Sequence, residues 1–217
     1  MPSPMTPGEF AEGQNVSRET MARLETYLGA LEKWNKAINL VGKSSLEDPW
    51  RRHFLDSSQL LDLIPENSGA VLDVGSGAGF PGLVLAILGE GRLKVHLCES
   101  DGRKATFLRE VARLTNTEVT VKNERIEDIE AFPVEIITAR ALAPIATILK
   151  LCEDFIGGET QLLLLKGTQT HNELTEAEKS WNIRAELIPS RSDKTGLIAH
   201  ITQARRHDRA TDPSRKP

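Results

Sequence analysis

A glycine-rich run at residues 73–82, DVGSGAGFPG, is the stretch of the sequence with the clearest potential for chemistry. Glycine adopts backbone conformations that other residues avoid, so Gly75, Gly77 and Gly79 permit a tight turn that brings the backbone close to a ligand. The run fits two overlapping patterns. G-x-G-x-x-G, which starts at Gly77, is typical of dinucleotide-binding loops, whereas acid-x-G-x-G-x-G, which starts at Asp73, is typical of loops that bind S-adenosylmethionine.

Features around the loop favour S-adenosylmethionine. Asp73 can face the cationic end of that cofactor, directly or through water, but would repel a pyrophosphate. Glu99 ends the next apolar run and can bond the ribose hydroxyls of either cofactor. The stretch NERIEDI follows the third apolar run, where Ile126 can lie against an adenine ring and Glu127 near its edge. The structural alternatives are a turn without a ligand, an exposed strand-end acid and a solvated charged turn.

The chain lacks the residue patterns that several other methyl acceptors require. C5 of a pyrimidine needs a cysteine nucleophile after a proline, but TARALAP stands at that place and Cys152 falls within a predicted helix. An exocyclic amine usually needs an N/D-P-P-Y/F loop, which the sequence does not contain. N7 of guanine carries an exposed lone pair and needs no general base, so it is compatible with this chain. Cys98 and Cys152 are expected to be buried apolar residues, and no metal site is expected.

Arg140 follows the fourth predicted strand, at the sheet edge where ligands bind in open α/β folds. Its guanidinium fork can bond guanine O6 or a phosphate, so we expect it to be the positioning residue of the catalytic site. An ion pair with an acid of a neighbouring loop is the structural alternative.

Several basic residues are candidate RNA contacts. Those of the N-terminal part, which could equally form a solvated face, are Lys33, Lys36, Lys43, Arg51 and Arg52. His53 either lines the mouth of the site or packs between the helical unit and the sheet. Lys166 follows an apolar run and either touches phosphate or is a solvated strand end.

The periodicity of apolar residues predicts the elements that position these side chains. A helix should begin after Ser17, a good N-cap, and end near Asn39, and a second helical stretch should end before Pro65. Alternating strands and helices follow from Ala70, which indicates a parallel sheet. The predicted strands are Val71–Val74, Lys94–Cys98, Glu118–Val121, Glu135–Thr138, Gln161–Leu165, Ile183–Ile188 and Leu197–Thr202, and the predicted helices between them are Pro81–Leu88, Arg103–Thr115, Pro144–Phe155 and Glu173–Trp181.

The last two strands leave no room for a crossover helix, so one of them must run antiparallel. The fold class is therefore α/β: a Rossmann-like seven-stranded class I methyltransferase sheet with its last strand antiparallel and an N-terminal helical unit. The predicted organisation is a flexible lead at 1–16, a helical unit at 17–65, a cofactor-binding domain at 66–203 and a basic flexible tail at 204–217.

Composition restricts the function classes. The chain has 217 residues, of which 39% are hydrophobic and 27% charged, as in a globular protein with a core. Its net charge of −4 argues against wholesale nucleic-acid binding but not against a local basic face. No apolar run approaches the length of a membrane span, and no secretory signal is visible, so a cytoplasmic location is expected. The protein is also expected to be a monomer.

An ordered set of motifs resembles the bacterial 16S ribosomal RNA guanine-N7 methyltransferases, once called glucose-inhibited division protein B. The motifs are KWNKAINLV (33–41), RHFLDS (52–57), DVGSGAGFPG (73–82), ES with RKATFL (99–108), ERIED (124–128), ARA (139–141) and LLLKG (163–167). The resemblance implies methyl transfer from S-adenosylmethionine to a guanine N7 of 16S rRNA near the decoding centre, on naked RNA or on an assembling small subunit. It assigns the cofactor to Gly75, Phe80, Glu99, Ile126, Glu127 and Arg140, although Phe80 stands where the family often has leucine.

Two other functions remain open from the sequence. A NAD-dependent oxidoreductase would need a constellation such as Tyr-x-x-x-Lys, but the only tyrosine is Tyr27, in the predicted N-terminal helix. A nucleotide-binding module of ribosome assembly without catalytic activity would keep the loop and lose the chemistry. Methyl incorporation into rRNA distinguishes it from an enzyme.

Overall fold

The computed structural model describes residues 3–207, and a single seven-stranded sheet forms its centre. The strands are β1 (Ala70–Val74), β2 (Lys94–Cys98), β3 (Val119–Lys122), β4 (Ile136–Arg140), β5 (Gln161–Lys166), β6 (Trp181–Pro189) and β7 (Leu197–Arg206). The α-helices are α1 (Pro7–Gly13), α2 (Arg18–Trp34), α3 (Asp56–Ser58), α4 (Gly82–Leu88), α5 (Gly102–Leu114), α6 (Ile145–Leu151) and α7 (Thr170–Glu178). A π-helical segment, Trp50–Leu55, leads into α3, and short 3₁₀ turns cover Lys43–Glu47, Gln59–Leu63, Ile126–Asp128 and Glu153–Phe155.

The strand order is β3-β2-β1-β4-β5-β7-β6. β7 runs antiparallel to both neighbours, whereas the pairs among β1 to β5 are parallel. The antiparallel last strand confirms the expectation from the sequence. The chain moves from β1 towards β3 and then returns to place β4 on the other side of β1. Ligands of open α/β sheets bind at the carboxyl ends of strands where the order reverses in this way, here between β1 and β4.

Apolar clusters cover both faces of the sheet because successive side chains of a strand point to opposite sides. Val71 belongs to the cluster that includes residues of α2, α4 and α5, and Leu72 to the cluster that includes residues of α6. Both side chains are fully buried. The near-continuous apolar runs of the strands therefore reflect burial on both faces.

The N-terminal part differs from the prediction. A flexible lead up to residue 16 is expected from composition, but α1 forms there with a reciprocal capping box between Thr6 and Glu9. Its Phe10 is only 1% exposed, and the centres of the Phe10 and Trp50 rings are 5.3 Å apart. This buried side chain packs α1 against the rest of the fold. α2 begins after Ser17 as predicted.

Several element ends also differ. α2 ends at Trp34 rather than near Asn39, because Oδ1 of Asn35 accepts hydrogen bonds from the backbone of Leu40 and Val41 and turns the chain. Pro81 is the N-cap of α4, not its first residue. β7 extends to Arg206, so residues 204–206 of the predicted tail are strand; residues 208–217 lie outside the described part.

Within residues 3–207, no helix is long and apolar enough to span a bilayer. The same part of the chain contains no group of three or more His, Cys, Asp or Glu side chains placed to hold a metal ion.

Candidate active site

The glycine loop between β1 and α4 uses backbone conformations that suit glycine. The φ angles of Gly75, Gly77 and Gly79 are 68°, 55° and 91°, in the left-handed region where a Cβ is strained. The backbone N–H groups of Gly75 and Ser76 both donate to the carbonyl of Cys98, at 2.9 and 3.0 Å. The loop is thereby anchored to the end of β2.

Glu99 connects the loop to the next helix. One carboxylate oxygen accepts a hydrogen bond from the backbone of Gly77 at 2.8 Å, and the other accepts one from the backbone of Asp101 at 2.8 Å. The side chain is 7% exposed and held in position. Each oxygen has a second lone pair, so the carboxylate can still accept a bond from a ligand hydroxyl.

The space beside Gly77 is open to a ligand. A Cβ added to Gly77 would meet only the carbonyl oxygen of Gly75, at 3.7 Å, so a ligand can approach the backbone there. Ile126 and Glu127 lie on the 3₁₀ turn after β3, the strand next to β2; Ile126 is buried and Glu127 exposed. Residues expected to hold a ribose and an adenine thus follow neighbouring strands at one edge of the sheet.

Asp73 does not present its carboxylate to the cofactor space. Its side chain is fully buried, and Oδ1 accepts a hydrogen bond from the hydroxyl of Thr138 at 2.7 Å. A Cβ on Gly82 would lie 2.7 Å from Oδ2 of Asp73, so α4 packs directly onto the carboxyl group. Burial raises the pKa of Asp73 to about 6. The carboxyl group therefore has no exposed surface for the expected direct contact with a cationic ligand, and it supports the loop from below.

Tyr27 of α2 supports the loop from the other side, a role that the sequence analysis missed. Its buried hydroxyl donates to the backbone carbonyl of Ala78. Its ring stacks on Phe80 at 5.0 Å, and Phe80 also stacks on His53 at 4.8 Å. Phe80 is 3% exposed, so the structure places this expected cofactor residue in the core between the loop and the helical unit.

Arg140, the last residue of β4, joins the sheet to the π-helical segment. Its Nη1 donates to the carbonyl of Arg52 at 3.1 Å and to Nδ1 of His53 at 3.0 Å, and lies 3.4 Å from Oδ2 of Asp56. The guanidinium carbon lies 4.9 Å from the centre of the Phe80 ring. All three polar contacts use Nη1. The ion pair with a nearby acid, which was the structural alternative to a positioning role, is present, and Arg140 also lines a cleft.

His53 packs and forms hydrogen bonds between the helical segment and the sheet, as one sequence interpretation holds, and it also lines the cleft, as the other holds. It is 4% exposed, and burial, together with the charges of Arg140 and Arg52, lowers its pKa to about 3. The neutral ring accepts from Arg140 at Nδ1, so Nε2 carries the proton and donates to the hydroxyl of Ser45 at 2.9 Å.

The cleft beside Arg140 has a volume of about 720 Å³ and lies at the carboxyl edge of β4, β5 and the β6–β7 hairpin. One wall is the loop after β4, where Ala141 has a φ of 51°, an uncommon conformation outside glycine. Leu142 of this wall is 38% exposed, and a Cβ on Gly75 would lie 2.6 Å from its Cδ1. Leu142 therefore lies between the glycine loop and the cleft.

Comparisons with known proteins agree with this geometry. Residues 20–196 match the model of a family described as rRNA small subunit methyltransferase G. A Rhodospirillum rubrum protein named Ribosomal RNA small subunit methyltransferase G is 54% identical over 202 residues, which cover 93% of this chain and 100% of the relative. The chain belongs to the rRNA small subunit methyltransferase G family.

Solved structures with low sequence identity share the fold. One is a putative class I S-adenosylmethionine-dependent methyltransferase from Listeria monocytogenes, with a TM-score of 0.60 and 15% identity over 92% of this chain and 70% of that chain. Another is a SAM-dependent methyltransferase from Aquifex aeolicus, with a TM-score of 0.57 and 18% identity over 73% of this chain and 95% of that one. The expected class I methyltransferase fold is confirmed.

In this member of the methyltransferase G family, the basic side chains that were expected to contact RNA differ in their exposure and in whether they already form ion pairs. Lys166 is not a freely solvated strand end: its side chain is 9% exposed, and Nζ donates to Glu173 at 2.7 Å and to the carbonyl of Ala143 at 2.5 Å. Lys166 also lines the cleft, and its contact with a phosphate stays a prediction. Arg51 is paired with Asp48 at 2.7 Å. The exposed members of the expected group are Lys33, Lys36, Lys43 and Arg52, and Arg52 lines the cleft.

Proposed function

We propose that the protein transfers a methyl group from S-adenosylmethionine to N7 of a guanine of 16S rRNA near the decoding centre. The observation that carries the proposal is the cleft at the sheet edge beside the glycine loop, with the guanidinium of Arg140 on its wall. In this assignment, residues 66–203 bind the cofactor, and the helical unit at 17–65 completes the site through Tyr27 and Asp56.

The glycine loop and the family support S-adenosylmethionine as the methyl donor. When bound, S-adenosylmethionine supplies a methyl group on a sulfonium, which a lone pair can displace in line. The chain's own part is to hold the adenosine, with Glu99 accepting from the ribose hydroxyls, Ile126 against the adenine and Glu127 at its edge. The other residues of the loop pattern shape its backbone. Gly75 and Gly79 allow its conformation, and the buried side chains of Asp73 and Phe80 support it.

The cleft supports the proposal that the methyl acceptor is a guanine base bound beside Arg140. Guanine N7 is nucleophilic without losing a proton, so the site has to position the base rather than deprotonate it. Nδ1 of His53 accepts from Arg140 and Nε2 donates to Ser45, which leaves its ring engaged at both nitrogens. Arg140 uses only Nη1 for its polar contacts among the described residues, so Nη2 and Nε can bond the O6 of a guanine or a phosphate.

Exposed Lys and Arg side chains of the helical unit would meet the RNA backbone. Lys33, Lys36, Lys43 and Arg52 are exposed, and Arg52 borders the cleft. Phosphate contacts weaken with salt because binding releases counterions. These exposed cations lead us to infer that the partner is 16S rRNA or the assembling small subunit. We propose that it is bound in the cytoplasm, by a monomer of the protein.

The test is to map N7-methylguanine in 16S rRNA from cells with and without the protein, and then to repeat the methylation with purified protein and labelled S-adenosylmethionine. We expect one guanine to lose the mark without the protein and to regain it in vitro. An unchanged map would overturn the assignment. Calorimetry with S-adenosylmethionine and with NAD separates the two cofactors, and cofactor binding without methyl incorporation would indicate the silent assembly module.

A further inference from the structure

The hairpin at residues 190–196, between β6 and β7, forms the wall of the cleft opposite Arg140. β7 is antiparallel to β5, and its first residue, Leu197, pairs with Lys166 at the carboxyl end of β5. The turn before β7 therefore lies at the same sheet edge as the loop after β4. Neighbouring strands are about 4.8 Å apart, so β4 and β7 are separated by about 10 Å, which leaves room for a purine between the two walls.

Hydrogen bonds hold the hairpin against the helical unit. The hydroxyl of Ser192 donates to Oδ1 of Asp56 at 2.6 Å, and the backbone of Arg191 donates to Oε1 of Gln59 at 2.8 Å. The side-chain amide of Gln59 donates to the hydroxyl of Ser190 at 3.1 Å. This wall is fixed by long-range contacts, so a side chain on it can recognise a ligand at a defined position.

Asp193 is the carboxylate of this wall. Both hydrogen bonds that it accepts, from the backbone and the hydroxyl of Thr195, go to Oδ1, each at 2.8 Å. These bonds, with a smaller effect of the Arg52 charge, lower its pKa, so the group is an acceptor at neutral pH. Among residues 3–207, no side chain forms an ion pair with Asp193.

The other carboxylates of the cleft are already engaged. Asp56 accepts from Ser192 at one oxygen and is paired with Arg140 at the other. Oε2 of Glu173 is paired with Lys166 at 2.7 Å, so this acid has its cationic partner, and the same oxygen accepts from the backbone of Ile145 at 3.0 Å. Asp193 is thus the lining carboxylate with neither a cationic partner nor a hydrogen bond to its second oxygen among the described residues.

We propose that Asp193 selects guanine by accepting hydrogen bonds from N1–H and the N2 amino group of the target base. The inference rests on the proposed function. Guanine presents two adjacent donors on its Watson–Crick edge, and the two lone pairs of Oδ2 can accept both, because Oδ1 is already occupied by the two bonds from Thr195. Adenine instead presents an acceptor at N1, which a carboxylate cannot bond. N7 and O6 lie on another edge of the purine, which then faces Leu142, Arg140 and the glycine loop, where the methyl donor is expected.

The test compares two target bases with two proteins. A short RNA carries guanine or inosine at the target position; inosine keeps N7, O6 and N1–H and lacks only the N2 amino group. For the unaltered protein we expect inosine to lower kcat/KM about tenfold or more. Asp193→Asn should be slower on guanine and should no longer distinguish the two RNAs. Asp154→Asn is the matched control, because Asp154 is exposed and precedes β5 at the opposite edge of the sheet.

Equilibrium binding of the two RNAs, measured without turnover, separates this inference from the proposed function. Loss of guanine preference in Asp193→Asn, together with methylation at an atom other than N7, would support the base recognition and overturn the N7 assignment. Methylation at N7 with equal discrimination by Asp193→Asn and the unaltered protein would overturn the role of Asp193. A uniform loss on both RNAs would show that the residue only supports the hairpin.

Discussion

Arg140 and His53 are 87 positions apart in the sequence, and Nη1 of Arg140 donates to Nδ1 of His53 at 3.0 Å. This bond fixes both partners. Burial, aided by the charge of the arginine, lowers the pKa of the histidine and keeps its ring neutral, and the bond places the ring proton on Nε2. The histidine in turn holds the guanidinium at the wall of the cleft. The wall of the cleft at Arg140 is therefore positioned by a residue of the N-terminal helical unit.

Arg140→Ala should lower methyl transfer at least tenfold and also lower the melting temperature. The guanidinium is 18% exposed and makes several charge-assisted contacts, which contribute about 1.5–3 kcal/mol each at buried positions and less here. Turnover and thermal unfolding measured on one preparation test both effects. Arg113→Ala is the control, because its guanidinium is 69% exposed in a surface pair with Glu110 and should leave both values unchanged. Normal turnover with normal melting would remove Arg140 from the site.

Gly77→Val should abolish binding of S-adenosylmethionine while the protein stays folded. The branched side chain would occupy the open space above the loop, and its backbone strain at a φ of 55° would loosen the bond to Glu99. Gly91→Val introduces the same kind of strain at a φ of 76° in a turn with open space around it. Calorimetric titration should show normal affinity for Gly91→Val, and the same result for Gly77→Val would contradict the assignment of the loop.

Tyr27→Phe should lower the free energy of unfolding by about 1–3 kcal/mol, because it leaves the carbonyl of Ala78 buried without its donor. Urea unfolding measures the loss. The affinity for S-adenosylmethionine should fall as well, since the loop loses its support from α2. Thr106→Ala removes a surface hydroxyl that donates to the carbonyl of Gly102 and should cost little. Equal losses in both variants would mean that Tyr27 adds nothing beyond its ring.

Asp73→Asn should remove a pH dependence of stability. Burial raises the pKa of Asp73 from 3.8 to about 6, so the folded protein binds this proton more tightly than the unfolded chain does. The contribution of Asp73 to the free energy of unfolding therefore decreases as the pH rises from about 4 to about 6, by about 1.4 kcal/mol per pH unit at most. Urea unfolding of both proteins across this range should give converging stabilities at low pH and a more stable variant above pH 6. A constant difference would contradict the raised pKa.

The sheet, and the place of Glu99 at its carboxyl edge, were predictable from local patterns. Apolar runs with short turns between them predict the strands, and an acid directly after a strand, such as Glu99, must lie at the carboxyl edge. Contacts between distant segments were not predictable, because nothing in a local pattern records them. The pair that Lys166 forms with Glu173 was not predicted from the sequence. Nor was the helix α1, which packs on the fold through the buried side chain of Phe10.

Tyr27 illustrates the same limit. A tyrosine on the apolar face of a helix is expected to be buried, but the destination of its hydroxyl depends on a loop 51 positions away. For Asp73, the sequence showed its position at the start of the loop pattern. It did not show that α4 packs over its carboxyl group. Gly82 carried the signal: a glycine at the start of a helix marks a close approach, here of the helix to Asp73 and Leu97.

The bond between Ser192 and Asp56 spans 136 positions and has a consequence for biosynthesis. The glycine loop, Glu99 and the parallel strands are translated well before the hairpin, and chains emerge at about 5–20 residues per second. A nascent chain can therefore assemble the glycine loop and the parallel strands first. The wall of the cleft that the hairpin forms can be completed only when translation is almost finished. Competence to modify RNA arises at the end of synthesis, in one late docking step.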